Sequence, residues 1–226
     1  MPRATASAET RRPKRRSVPA AIESPAAHAH SLEEARRDAR GCRACPLWHD
    51  ATQTVFGEGA AAAALMFVGE QPGDSEDRRG RPFVGPAGRM LDRALAEAGI
   101  DRQRVYVTNA VKHFKFVPRG KRRMHKKPAD AEIDACHPWL ERELEFVTPR
   151  LVIALGATAA RSLLGRATLI EANRGRVIPF AARSKLLITV HPSSLLRVPD
   201  EFKAEAHKRF VADLRAVREF LEASEP

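Results

Sequence analysis

The sequence predicts an α/β fold, a three-layer α/β/α sandwich around a central four-stranded parallel sheet. Three observations carry that expectation. Four short apolar runs, at residues 65–68, 105–108, 151–155 and 186–190, read as strands. Between and after them, residues 87–98, 129–146, 158–164 and 202–221 repeat apolar side chains at helical spacing, as in Met90, Leu91, Ala94, Leu95 and Ala98. Strands alternating with helices require a parallel sheet covered on both faces. Finally, the polar residues capable of chemistry fall just past the strand ends, where open sheets of this kind bind ligands: 69–73, Asn109, 156–158 and 191–194.

Taken in order, residues 1–30 are rich in Ala, Pro, Ser and Arg and read as a disordered basic tail. Ser31 caps a short helix that carries Glu33 and Glu34 in its first turn and has Gly41 just beyond its end. From there to residue 226 one domain is expected, with no repeat and no further boundary. Hydrophobic residues make up 43% of the 226, enough for a core, which excludes wholesale disorder. No apolar run approaches the ~18 residues of a membrane span. Three cysteines cannot form a disulfide framework, and the first thirty residues lack the continuous apolar stretch of a secretory signal. A cytoplasmic protein with no membrane partner is expected.

Charge is concentrated. The chain holds 39 basic and 28 acidic residues, a net +11. Residues 1–16 account for +5, and residues 112–127 for +8, with eight Lys and Arg and no acid. The remainder, with 25 basic and 27 acidic residues, is nearly neutral. A basic run can be a solvated face. The second one, with no acidic relief and with Pro118 and Gly120 marking a loop between regular elements, suits contact with a nucleic-acid backbone, because each neutralised phosphate releases counterions.

Four constellations could carry chemistry. Cys42-Arg43-Ala44-Cys45 with the distant Cys136 offers three thiolates that need a fourth ligand, and His49, His113 and His137 compete for that place. Three cysteines and a histidine suit zinc before an iron–sulfur cluster on ligand type alone. The glycine-rich segments 69–73 and 80–88 permit close backbone approach to a ligand, with Phe83 an aromatic in an irregular stretch; they also read as plain turns around a core plug. His191, in His191-Pro192-Ser193-Ser194, could hold developing negative charge or simply sit in a turn. His125 stands among Lys and Arg residues that disfavour its protonation, and a neutral imidazole is a nucleophile; the plain reading is an exposed loop histidine.

Together these segments resemble the uracil-DNA glycosylase superfamily, closest to its family-4 iron–sulfur branch and, within that, to the UdgX group. The resemblance runs from about Ser31 to about Glu222. Gly69-Glu70-Gln71-Pro72-Gly73 resembles the first motif, Thr108-Asn109-Ala110-Val111-Lys112 the middle one, and His191-Pro192-Ser193-Ser194-Leu195-Leu196-Arg197 the last. Arg119-Gly120-Lys121-Arg122-Arg123-Met124-His125 resembles the basic loop of UdgX proteins, with Met124 where isoleucine is more usual. Ordinary family-4 members carry a fourth cysteine where this chain has His113, and UdgX proteins are similar in having histidine there. The resemblance therefore implies a 4Fe–4S cluster on Cys42, Cys45, His113 and Cys136.

The same resemblance implies roles. Phe83 would stack on a flipped-out uracil, Asn109 would read its polar edge, and His191 would stabilise the uracil anion as the N-glycosidic bond breaks. His125 would attack C1′ in place of water, Glu70 would orient or deprotonate it, and Gln71, in the substrate pocket, would position the loop. Lys121, Arg122, Arg123, Ser193, Ser194 and Arg197 would contact DNA. A monomeric single-turnover enzyme acting on uracil-containing DNA in the bacterial cytoplasm is the expectation. A turning-over glycosylase and a non-catalytic metal-bearing binding module are the rivals.

Overall fold

The structure, a computed structural model, describes residues 25–181 and 183–223. The elements are α1 (Leu32–Ala39), β1 (Glu58–Gly59), β2 (Leu65–Gly69), α2 (Asp74–Arg79), α3 (Pro86–Glu97), β3 (Val105–Asn109), β4 (Phe116–Arg119), β5 (Arg122–His125), α4 (Asp130–Val147), β6 (Leu151–Leu155), α5 (Ala157–Leu164), α6 (Ile170–Asn173), β7 (Val177–Ala181), β8 (Ser184–Thr189), α7 (Pro192–Leu195) and α8 (Asp200–Glu222). The four expected strands are β2, β3, β6 and β8. They pair in parallel in the order β3-β2-β6-β8, and short antiparallel strands, β1 and β7, extend the sheet to six at its two edges.

Side-chain alternation along these strands builds the layers. Leu65, Phe67, Val105, Val107, Leu151, Ile153, Leu155 and Leu187 face α3 and α8, where Leu91, Leu95, Phe210 and Leu214 meet them. The residues between them, Met66, Val68, Tyr106, Val152, Ala154, Leu186 and Ile188, face α4 and α5. Both faces are buried, which is why the strands are apolar throughout. A third cluster joins α1 to α4 through Ala35, Ala39, Leu47, Phe56, Ile133 and Trp139, and contains Cys42 and Cys136.

Two boundaries differ from expectation. Packing begins before Ser31: Pro25–His28 form a 3-10 turn, and Ala26 and Ala29 are buried in the third cluster. The basic run of residues 1–16 lies outside the described residues. The segment expected as a basic loop is a β-hairpin, β4–β5, whose register places Phe116 opposite His125 and Arg119 opposite Arg122. Gly120, at φ 58°, takes the left-handed turn that a tight hairpin needs. Among the described residues no helix is long and apolar enough to cross a membrane.

Candidate active site

The carboxyl ends of β2 and β3 lie side by side, with Gly69 paired to Asn109. Gly69 is the point on which three side chains converge. A methyl group at its Cα would stand 2.3 Å from Asn109 Oδ1, 2.8 Å from Phe83 Cζ and 3.4 Å from His191 Nε2, so three side chains from separate parts of the chain converge on one residue without a side chain. Phe83 holds a left-handed backbone, φ 55°, that an aromatic residue seldom adopts. Two contacts hold it there. Its carbonyl rests on Gly88 in the first turn of α3, where any Cβ would collide with it. The buried Glu76 carboxylate accepts the N–H groups of Gly73 at 3.2 Å and Gly85 at 2.7 Å, joining the two glycine-rich segments.

His191 is held as a neutral donor. Its Nδ1 accepts from the Ser193 N–H at 3.2 Å and lies 2.8 Å from the Ser193 hydroxyl, which leaves the proton on Nε2, the nitrogen nearest Gly69. Burial lowers its pKa to about 4, so the ring is neutral at physiological pH. Ser194 donates its hydroxyl to the His191 carbonyl at 2.8 Å. Both serines, expected on DNA, thus brace His191. Arg197, exposed at the same edge, remains free to meet a phosphate.

Beside the pocket, Glu70 is shared. Its Oε1 lies 3.0 Å from His125 Nε2, and its Oε2 accepts the Thr158 hydroxyl at 2.5 Å. Burial acts to raise the Glu70 pKa, but the hydrogen bonds of His125 and Thr158 and the nearby imidazoles outweigh it, and the carboxyl sits below its ordinary range. His125 is half-exposed at the end of β5. Among the described residues this carboxylate is in ion-pair contact with its ring.

The Gln71 side chain is bonded to the hairpin. Its amide donates to the carbonyls of Lys115 and Lys126, both at 3.1 Å, and accepts from the Lys115 N–H at 3.0 Å, so the side chain is spent on the hairpin's two ends. Arg123 also turns inward. It pairs with Asp74 and with the buried Asp77, and stacks over Phe114 and Phe116. Lys112 is fully buried against Glu143 at 2.5 Å and also donates to Thr108 Oγ1 and the Asn109 carbonyl. Lys115 pairs with Glu132. The outward charge of the run is therefore Arg119, Lys121, Arg122, Lys126 and Lys127.

The three cysteines are free thiols, with Cys42 and Cys136 in the third core cluster and Cys45 packed against it. Trp139 donates its indole N–H to Cys42 Sγ at 3.2 Å, and the Lys112 N–H donates to Cys136 Sγ at 3.1 Å. Burial pushes the Cys136 thiol up to about 12 and raises Cys45 as well, so thiolates here need a positive centre to stabilise them. His113 is buried. Its Nε2 lies 2.9 Å from Thr54 Oγ1, and that hydroxyl donates to the Ala39 carbonyl; the ring therefore carries its proton on Nε2 and keeps a lone pair on Nδ1. The donor set suits a soft metal centre. Among the described residues, no three His, Cys, Asp or Glu side chains converge closely enough for a single metal ion. His49 pairs with Asp50 and His137 with Glu141, both at the surface.

Sequence reasoning missed Glu76, Thr54 and Glu143, none of which carried a signal; it placed Thr158 past a strand end but gave it no role. The Phe83 ring, stacked at 29° and 6.3 Å from His191, gives a direct expectation. Phe83→Ala should weaken binding of a substrate base by roughly 1–3 kcal/mol through lost stacking. Titration of uracil-containing DNA against both proteins measures this, with thermal melting to separate the loss from core destabilisation.

An aromatic ring, an amide and a neutral imidazole from separate parts of the chain thus meet at Gly69, on the carboxyl edge of a mainly parallel sheet. The chain belongs to the uracil-DNA glycosylase superfamily, whose family profile matches residues 56–215. Among its relatives is the type-4 uracil-DNA glycosylase of Sulfurisphaera tokodaii, 34% identical over 197 residues and 84% of each chain. The type-4 enzyme of Thermotoga maritima is 41% identical over 69% of this chain and 78% of its own. That of Archaeoglobus fulgidus is 30% identical over 87% and 96%.

Proposed function

We propose that this protein excises uracil from DNA and remains joined to the deoxyribose through His125. The observation that carries the second half is the 3.0 Å contact between His125 and Glu70 at the lip of the base pocket. Uracil would be flipped out of the stack onto Phe83, and the Asn109 amide would pair with its polar edge. Cytosine reverses donor and acceptor at that edge and would leave the amide unpaired. As the N-glycosidic bond breaks, its electron pair leaves with uracil, and the Nε2–H of His191 stabilises the anion by hydrogen bonding. His191 is neutral, so it donates without giving up a full proton. The imidazole lone pair of His125 then forms the bond to C1′, and the remaining ring proton passes to Glu70. The product is a neutral substituted imidazole, a poor leaving group.

Arg119, Lys121, Arg122, Lys126, Lys127 and Arg197 are the cations we assign to the DNA backbone. Cys42, Cys45, His113 and Cys136 would hold a 4Fe–4S cluster. When bound it supplies structural bracing, because its ligands His113 and Cys136 flank the hairpin in sequence. Purified protein should be brown and contain iron and sulfide; anaerobically prepared protein that is colourless and carries one zinc per chain contradicts the assignment. A monomer suffices for this chemistry.

The type-4 names of the relatives favour a second reading, in which water reaches C1′ and the enzyme turns over. A denaturing gel after incubation with uracil-containing DNA separates the two. A shifted protein–DNA band supports capture, and abasic, alkali-labile product without a shift supports turnover. Neither result would leave only binding.

A further inference from the structure

We propose that Thr158 is a positioning residue for the capture step: its hydroxyl fixes the Glu70 carboxylate so that the other carboxylate oxygen serves His125. The inference rests on the capture reading above and adds to it the device that directs Glu70. The geometry is direct. Thr158 Oγ1 donates to Glu70 Oε2, while Glu70 Oε1 faces His125 Nε2, so each oxygen has one partner and the group cannot rotate without losing both. Thr158 is 2% exposed, and its place is set by the backbone. Gly156, between β6 and α5, has φ 89°, a backbone that favours glycine, and turns the chain so that α5 starts against His191; a Cβ on Gly156 would lie 3.0 Å from His191 Cβ. The first turn of α5 thereby touches both the group that stabilises the leaving base and the group that serves the nucleophile.

A half-buried carboxyl without such a donor tends to take up a proton, and a protonated Glu70 can neither hold the imidazole by a charged acceptor nor receive its proton. The titratable groups facing Glu70 are His125 on β5 and His191 at the start of α7, with Arg197 beyond His191. Neither imidazole is removed by changing Thr158. The hydroxyl is the part of the arrangement that can be deleted while the charges stay in place.

The test compares wild type, Thr158→Val and Thr158→Ser in single-turnover adduct formation on uracil-containing DNA at about pH 5 and about pH 8. Wild type and Thr158→Ser should share one pH profile. Thr158→Val should lose about tenfold more than they do on going from the higher to the lower pH, the factor that one pKa unit represents. If Thr158→Val follows the wild-type profile, or is slowed equally at both pH values without rescue by serine, the positioning role is wrong. If wild type itself gives no covalent band, the capture reading fails; uracil release by the same three proteins then decides Thr158 alone, a pH-selective loss supporting it and a parallel profile overturning it.

Discussion

His125→Ser abolishes the covalent DNA band and yields a protein that releases uracil and leaves an abasic site: this is the largest change expected of any single substitution. The reason is local. His125 is half-exposed, so its removal opens no cavity in the core, and the hairpin that carries it keeps its anchors in Gln71 and Arg123. Phe83, Asn109 and His191 stand on other elements and are untouched. A serine leaves room for a water molecule beside Glu70, and that water replaces the imidazole as the group attacking C1′. Denaturing gels and alkali cleavage run side by side on wild type and variant measure both products. A band that survives in His125→Ser, only more sensitive to salt, would mean that His125 merely contacts phosphate.

Asn109→Ala should reduce excision by about a hundredfold or more, the scale on which removing one preorganised donor to a developing charge or a recognised edge acts. Alanine preserves β3, whose pairing with β2 is made by the backbone, and the Asn109 carbonyl still receives Lys112. The loss is therefore one of recognition. Uracil-release rates with melting temperatures as a control test this: a variant as fast as wild type removes Asn109 from the pocket, and one that is slow and also unfolded assigns it to the scaffold.

The central layers were legible in the sequence because strands buried on both faces show as apolar runs and the helices covering them show a regular period. The two edges were not. β1 is two residues long, and β7 is half-exposed with Pro179 within it, as only an edge strand tolerates. The hairpin was hidden for another reason. Arg122-Arg123-Met124-His125 has no apolar alternation, and its pairing is secured by Gln71, far away in sequence. The inward turn of Arg123 is likewise decided by Asp74 and Asp77 on α2, and the burial of Lys112 by Glu143 on α4. A count of basic residues cannot anticipate partners that only the fold brings near. Residues that the motifs singled out do lie near one another: Phe83, Asn109 and His191 converge on Gly69, and His125 meets the adjacent Glu70.

The way the hairpin is fastened bears on how such a protein can arise. One amide, Gln71, ties its two ends at Lys115 and Lys126, and Lys126 donates its N–H to the Lys115 carbonyl to close the base. A segment closed at its neck can change in length at its tip while the sheet behind it keeps its own hydrogen bonds. The sheet and the hairpin that carries His125 are thus separately heritable parts. Under the capture proposed above, a hydrolytic ancestor would become a reagent consumed in its own reaction by exchange of one short insert.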